Sequence, residues 1–167
     1  MDLLEFDAQD LYFEQPDSPE VQALIVLASE GYANGEAELP LLQAYLRAPE
    51  SLNVLVALNR FYYYQHRLAE ALLISEKAFE LIRCGIDFPE DWRELTLERI
   101  QTAPKQSMTR IRLYLFTLKS IGFLNMRMEN LSTSRSIFEK LVELDEKDRI
   151  GAKALLVLVE ERMVKVD

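Results

Sequence analysis

With 167 residues, about half of them apolar, and only five glycines and six prolines, the chain can build a core without disulfides or metal, and its richness in Ala, Leu, Glu and Arg favours an all-α protein. One cysteine, Cys84, and one histidine, His66, exclude a disulfide framework, most zinc sites and a helical di-metal centre. The net charge of −9 originates in residues 1–46, which carry ten acidic side chains and no Lys or Arg; nucleic acid is a poor partner for such a chain, because its phosphates call for basic groups.

No apolar stretch approaches the ~20 residues that cross a bilayer, and no basic-then-apolar leader is present, so the expectation is a cytoplasmic protein without a membrane partner. Residues 1–17, MDLLEFDAQDLYFEQPD, form an acidic arm with apolar clusters at Leu3, Leu4 and Phe6 and at Leu11, Tyr12 and Phe13. It reads either as a cover over one end of the domain or as a detachable segment lying in the protein's own groove. Residues 18–167 form a single domain.

Ser18 is placed to cap a helix opening at Pro19. Val21, Leu24, Ile25, Leu27 and Ala28 recur at helical spacing until Asn34-Gly35 ends the run. A second helix spans about residues 39–47, with Leu42, Tyr45 and Leu46 on one side, and Pro49 stops it. The next helix covers 51–66 and turns at 65–67 into a partner at 68–84. Cys84 there reads as a small packing residue, ahead of a helix-ending Gly85.

Residues 86–106 interrupt the pattern. Phe88-Pro89-Glu90-Asp91 predicts the start of an inserted helix of about 12 residues, striped by Trp92, Leu95, Leu97 and Ile100, docked through Trp92 and closed by Pro104. Helices then follow at about 107–126, 132–144 and 146–165, the last with a polar side that caps the domain.

Residues 52–85 overlay residues 115–148 as one helix–turn–helix unit of 34 residues. In the first copy Leu58, Tyr62, Leu68, Ala71 and Ala78 hold the key positions; in the second Gly122, Leu131, Ser134 and Phe138 do. This resembles the tetratricopeptide repeat (TPR), in which small residues let two helices cross at about 8–10 Å. Asn59, Ser75, Asn125 and Leu141 depart from that pattern, and the first helix pair keeps only Tyr32, Tyr45 and Ala48 of it. The resemblance implies a TPR-like α-solenoid of stacked antiparallel helix pairs, with about three repeats, an inserted helix and a C-terminal capping helix. A non-repetitive helical bundle is the alternative.

In the tetratricopeptide family the first helices of successive units line a groove for a peptide. The resemblance places Asn53, Val56, Arg60, Tyr63 and Tyr64 there from one copy, and Phe116, Lys119, Phe123, Met126 and Arg127 from the other. Val56, Ala57 and Arg60 stand where a subclass that reads terminal carboxylates carries Lys and Asn, so that recognition mode is absent. In the run Phe61-Tyr62-Tyr63-Tyr64, four aromatics wrap more than one helix face; Phe61 and Tyr62 are expected inside, with Tyr63 and Tyr64 facing a groove or a subunit interface, and the alternative is that all four are packed within the chain by the inserted helix and its Trp92.

Glu76 and Glu80, Glu94 and Glu98, and Glu139 and Glu143 each lie four apart on a helix and read as solvated faces. With no phosphate-binding loop, nucleophile turn or cysteine pair, no catalytic residue, metal or cofactor is expected. The expected function is a non-enzymatic adaptor or chaperone binding a protein or peptide segment. The alternative is a homodimeric structural or assembly protein. The chain is similar in outline to type III secretion chaperones, and RFYYYQHRLAEAL, FPEDWREL and EKLVELDEKDRIGAKALL resemble segments of small bacterial repeat proteins encoded near nitrogenase assembly genes.

Overall fold

The computed structural model describes residues 16–166, so all of the acidic arm except Pro16 and Asp17 lies outside the described residues. Eight α-helices follow in order: α1 Pro19–Gly31, α2 Glu38–Arg47, α3 Leu52–Tyr64, α4 Leu68–Cys84, α5 Leu97–Gln101, α6 Met108–Arg127, α7 Leu131–Leu144 and α8 Ala152–Val166. The described residues contain no strand, and none of their helices is long and apolar enough to cross a membrane. The chain divides into two compact units, residues 2–78 and 79–167, the boundary falling inside α4.

In the first unit the starts of α1 and α3 are set by side-chain caps. Ser18 Oγ accepts from the Val21 N–H at 3.3 Å, and Ser51 Oγ does the same for Val54 at 3.2 Å, each satisfying an amide that the helix itself leaves open. Val21, Ala28, Ala37, Leu41, Ala44, Leu55, Leu58 and Phe61 form the core. The sequence expectation for α2 is corrected here: Pro40, Leu41 and Ala44 are its buried residues, whereas Leu42 and Leu46 are exposed. With leucines at 39, 41, 42 and 46, apolar residues surround the helix and spacing alone cannot name the inner face.

The turns of the two aligned helix pairs are the same structure. The amides of Gln65, His66 and Arg67 donate to the carbonyls of Phe61, Tyr63 and Tyr62 at 3.1, 3.0 and 2.9 Å. At the equivalent positions Met128, Glu129 and Asn130 donate to Leu124, Met126 and Asn125 at 3.0, 3.2 and 2.8 Å. The middle residue is left-handed in both, with φ of 56° at His66 and 62° at Glu129, the backbone a helix adopts where it reverses into its neighbour.

The helix crossings are also equivalent in position but differently filled. Between α3 and α4, Asn59 Nδ2 donates to the Ala71 carbonyl at 2.8 Å and to Ser75 Oγ at 2.6 Å. Between α6 and α7, Ser134 Oγ donates to the Gly122 carbonyl at 2.8 Å. A Cβ on Gly122 would lie 2.8 Å from Phe138 Cε1 and 2.9 Å from Ile137 Cγ2. Phe138 therefore takes the space that the Asn59–Ser75 pair occupies in the other copy, and glycine is the residue that admits it.

In the second unit, Tyr114 on α6 is fully buried against Phe79, with ring centroids 4.4 Å apart, and edge-on to Phe88 at 5.1 Å. The expected inserted helix is corrected: it is a 3-10 turn at Trp92–Glu94 followed by the five-residue α5. Asp91 accepts from the Arg93 N–H and Thr96 accepts from the Arg99 N–H. Two caps so close together start two short elements instead of one long helix. Phe88, Leu95 and Ile100 do the docking, while Trp92 is half-buried beneath the Arg93 guanidinium, 4.3 Å from its ring.

Two further expectations change. Cys84 is exposed, with the Arg83 guanidinium 3.9 Å from its sulfur, so it is not a packing residue. The last helix begins at Ala152, because Asp145 Oδ2 accepts the Ile150 N–H at 2.6 Å and Asp148 and Gly151 take φ of 50° and 73°. Its outer side exposes Glu160, Glu161 and Lys165 together with Val157, Leu158 and Val164.

Gly122→Ala should lower stability by about 1–3 kcal/mol through overpacking against Phe138, as measured by denaturant unfolding. His66→Gly should raise it by up to about 1 kcal/mol by relieving the left-handed residue, visible as a higher Tm.

Candidate functional site

Helical geometry turns about 100° per residue, which arranges the ten sequence-selected positions in order of distance from the crossing residues Asn59 and Gly122. Those nearest the crossing line are the most covered. Val56, Lys119 and Met126 are only 9, 4 and 1% exposed, and Tyr63 is half-buried. Farther round, Phe116 and Phe123 are half-buried, and Asn53, Arg60, Tyr64 and Arg127 are exposed. The selected arc thus reaches one edge too far inward, and Val56, Lys119 and Met126 are corrected to packing residues. Lys119 illustrates the reason: its Nζ lies 3.6 Å from where Gly151 would carry a Cβ and 5.6 Å from the Phe116 ring, so the ammonium is used inside the unit.

The accessible groups form one surface on α3 and another on α6. On α3 the Arg60 guanidinium lies 5.8 Å from the Tyr64 ring, and Tyr63 and Tyr64 meet edge-on at 5.4 Å. Asn53 anchors the start of this surface, its Nδ2 donating to Asp17 Oδ2 at 2.9 Å. Phe61 and Tyr62 are buried as expected. Such a surface offers apolar ring area, hydroxyl handles and a guanidinium, which are the groups that hold protein partners. On α6 the available groups are Phe116, Phe123 and Arg127.

A polar cluster not identified from sequence closes the turn end of α3. Arg67 pairs with Glu38 at 2.7 Å and Glu70 at 2.9 Å, and its guanidinium lies 4.6 Å from the Tyr62 ring. Burial, reinforced by Glu38, raises the Tyr62 hydroxyl above its ordinary value, while the Arg67 hydrogen bond lowers the Glu70 carboxyl. The members come from α2, α3 and the start of α4, too far apart in the chain for spacing to reveal them.

The carboxylate pairs are separated or engaged. Glu94 and Glu98 lie on opposite sides of the Leu95–Thr96 break. Glu80, Glu139 and Glu143 pair with Arg83, Arg135 and Lys140. In the second unit a cavity of about 260 Å³ is lined by Ile86, Phe88 and Ile111, with Arg99, Thr102 and Ser107 among its polar groups. Arg99 is bound there to both the carbonyl and the carboxylate of Asp87, so its charge serves the loop.

Comparison with known proteins gives one full-length match. Over 166 residues, 99% of this chain and 93% of the relative, the sequence is 40% identical to a protein of Azotobacter chroococcum mcd 1 described as an uncharacterized 19.8 kDa protein in the nifW 5′ region. No family model matches the chain, and no solved structure matches it.

Glu76 on α4 provides a pH test. Burial raises its carboxyl above the ordinary value of 4.5, so the ionised form is disfavoured in the folded chain. The associated stability is fully present below that ordinary value and is lost as pH rises through the raised one. Glu76→Gln should therefore raise Tm at pH 7, and the difference from the parent should close as the pH is lowered past the ordinary carboxylate range.

Proposed function

The chain belongs to the family of that Azotobacter protein, and from this we propose that it is a non-enzymatic, cytoplasmic accessory protein of nitrogen fixation that holds a segment of another protein against its exposed α3 surface. The observation that carries the binding role is the outward group of Arg60, Tyr63 and Tyr64. Tyrosine and arginine together are what binding hot spots are enriched in, and Tyr64 is 55% exposed. Phe116, Phe123 and Arg127 on α6 are a second contact surface in this reading. The nifW 5′ region named for the relative supports the nitrogen-fixation setting.

We further propose that the hairpins α3–α4 and α6–α7 are tetratricopeptide-like units. The shared turn hydrogen bonds and the cross-helix bonds at equivalent positions support it. A partner segment with apolar side chains and carboxylates would suit the α3 surface, its apolar groups against the tyrosines and its acid on Arg60.

The test is affinity purification of the tagged chain from its own host, grown with and without fixed nitrogen. A partner should travel with the parent protein under nitrogen-fixing growth, and Arg60→Glu with Tyr64→Ala should reduce its recovery about tenfold or more without changing helicity or Tm. Undiminished recovery in that variant would overturn the assignment to α3. A parent protein that sediments as a dimer, with the variant a monomer, would give the surface to a homodimer.

A further inference from the structure

The exposed leucines of α2 do not belong to the α3 surface and carry a separate inference. Leu39, Leu42 and Leu46 are 65, 37 and 79% exposed and follow the i, i+3, i+7 spacing of a helix-to-helix seam. Leu39 and Leu46, two turns apart, point in the same direction. This is the side of α2 opposite its buried Leu41 and Ala44.

A fourth leucine extends the patch onto α4. Glu38 on α2 pairs with Arg67 just before α4 at 2.7 Å, and farther along, the Lys77 ammonium of α4 lies 5.8 Å from the Tyr45 ring of α2. The two helices therefore run side by side in the same direction. Leu42 and Leu73 lie between those two contacts, and Leu73 is 66% exposed. The result is a ribbon of four leucines along two neighbouring helices.

Charge identifies what fits it. Residues 16–78 carry eight acidic and four basic side chains. Around the ribbon, Arg67 is shared by two carboxylates, Glu38 and Glu70, Arg47 is taken by Glu20, and the Lys77 ammonium lies over the Tyr45 ring, which leaves the carboxylates Glu20, Glu38, Glu70 and Glu76 in excess of the three cations. Glu76 lies one turn along α4 from Leu73. A second copy would bring the same acidic rim against itself, which disfavours self-pairing. An apolar stripe flanked by lysine or arginine would fill the ribbon and set a cation beside Glu76.

We propose that the α2–α4 leucine ribbon is a docking site for a basic amphipathic helix of a partner protein. The incoming helix lies along α2, sets its apolar stripe between Leu39, Leu42, Leu46 and Leu73, and places a basic side chain at Glu76. This contact is independent of the α3 surface, so one protein can hold two partners or two segments of one.

The probe is a synthetic amphipathic Leu/Lys peptide of about 18 residues, five helical turns, compared with a Leu/Glu peptide of the same pattern. Binding to the full chain is followed by fluorescence anisotropy. The Leu/Lys peptide should bind saturably at one site, the Leu/Glu peptide should not, and Leu46→Ser with Leu73→Ser should weaken binding about tenfold or more. Val157→Ser, at another exposed apolar residue, on α8, should leave it unchanged. Both leucines are largely in solvent, so circular dichroism should report an intact fold. The proposal is overturned if the full chain binds neither peptide, if both peptides bind equally, if the double variant binds as the parent does, or if the parent is a dimer that the double variant converts to a monomer.

Discussion

The close approach of two helices at a crossing is the constraint from which the rest of each aligned hairpin follows. Side chains at the crossing must be small, or their bulk must be matched by a gap opposite. The chain meets this requirement in two ways. Ala71 leaves room for Asn59, whose amide bonds both a backbone carbonyl and Ser75; Gly122 leaves room for Phe138 and is bonded through its carbonyl by Ser134. The first solution is polar and directional, so a slip of the helices would strand a buried amide. The second is steric, and a slip would drive an aromatic ring into backbone. Either way the helices are locked in rotation about their own axes.

That locking decides which side chains are available for function. Once Asn59 and Gly122 face the partner helix, the positions next to them are covered, and only those more than a quarter turn away reach solvent. This is why Arg60 and Tyr64 are presented while Val56 is not, and why Met126 is buried although Arg127, its neighbour in the chain, is exposed. The arc of a helix that serves packing is wider than a motif-based alignment assumes, because neighbouring elements add cover at its edges. Lys119 under the start of α8 is the clearest case.

Much of the helical framework was legible because its signals are local. Ser18 and Ser51 announce helix starts through their own hydroxyls, and the repeat alignment placed the turns at His66 and Glu129 correctly without either residue being a glycine. What was not legible depended on competition. Asp91 and Thr96 each cap a short element, and together they defeat the apolar stripe that suggested one helix. In α2, apolar residues lie on all sides, and the choice of Leu41 over Leu42 as the core residue is made by the helices it meets. The departures Asn59 and Ser75 looked like two losses from the repeat pattern when read singly; the structure joins them in one hydrogen bond, a pairing that only cross-helix register reveals.

The exposed leucines and the acidic charge are best understood together. Leucines left in solvent gain nothing for the fold, and contiguous apolar surface invites association. The twofold excess of acidic over basic side chains in residues 16–78 counters this in the proposed docking, since two copies approaching by the same surface would meet like charge, and the repulsion acts over about a Debye length of 8–10 Å. On that proposal the charge opposes self-pairing of the ribbon while leaving it attractive to a cationic surface. In the proposed docking, the acidity of the chain filters which partners the apolar ribbon admits.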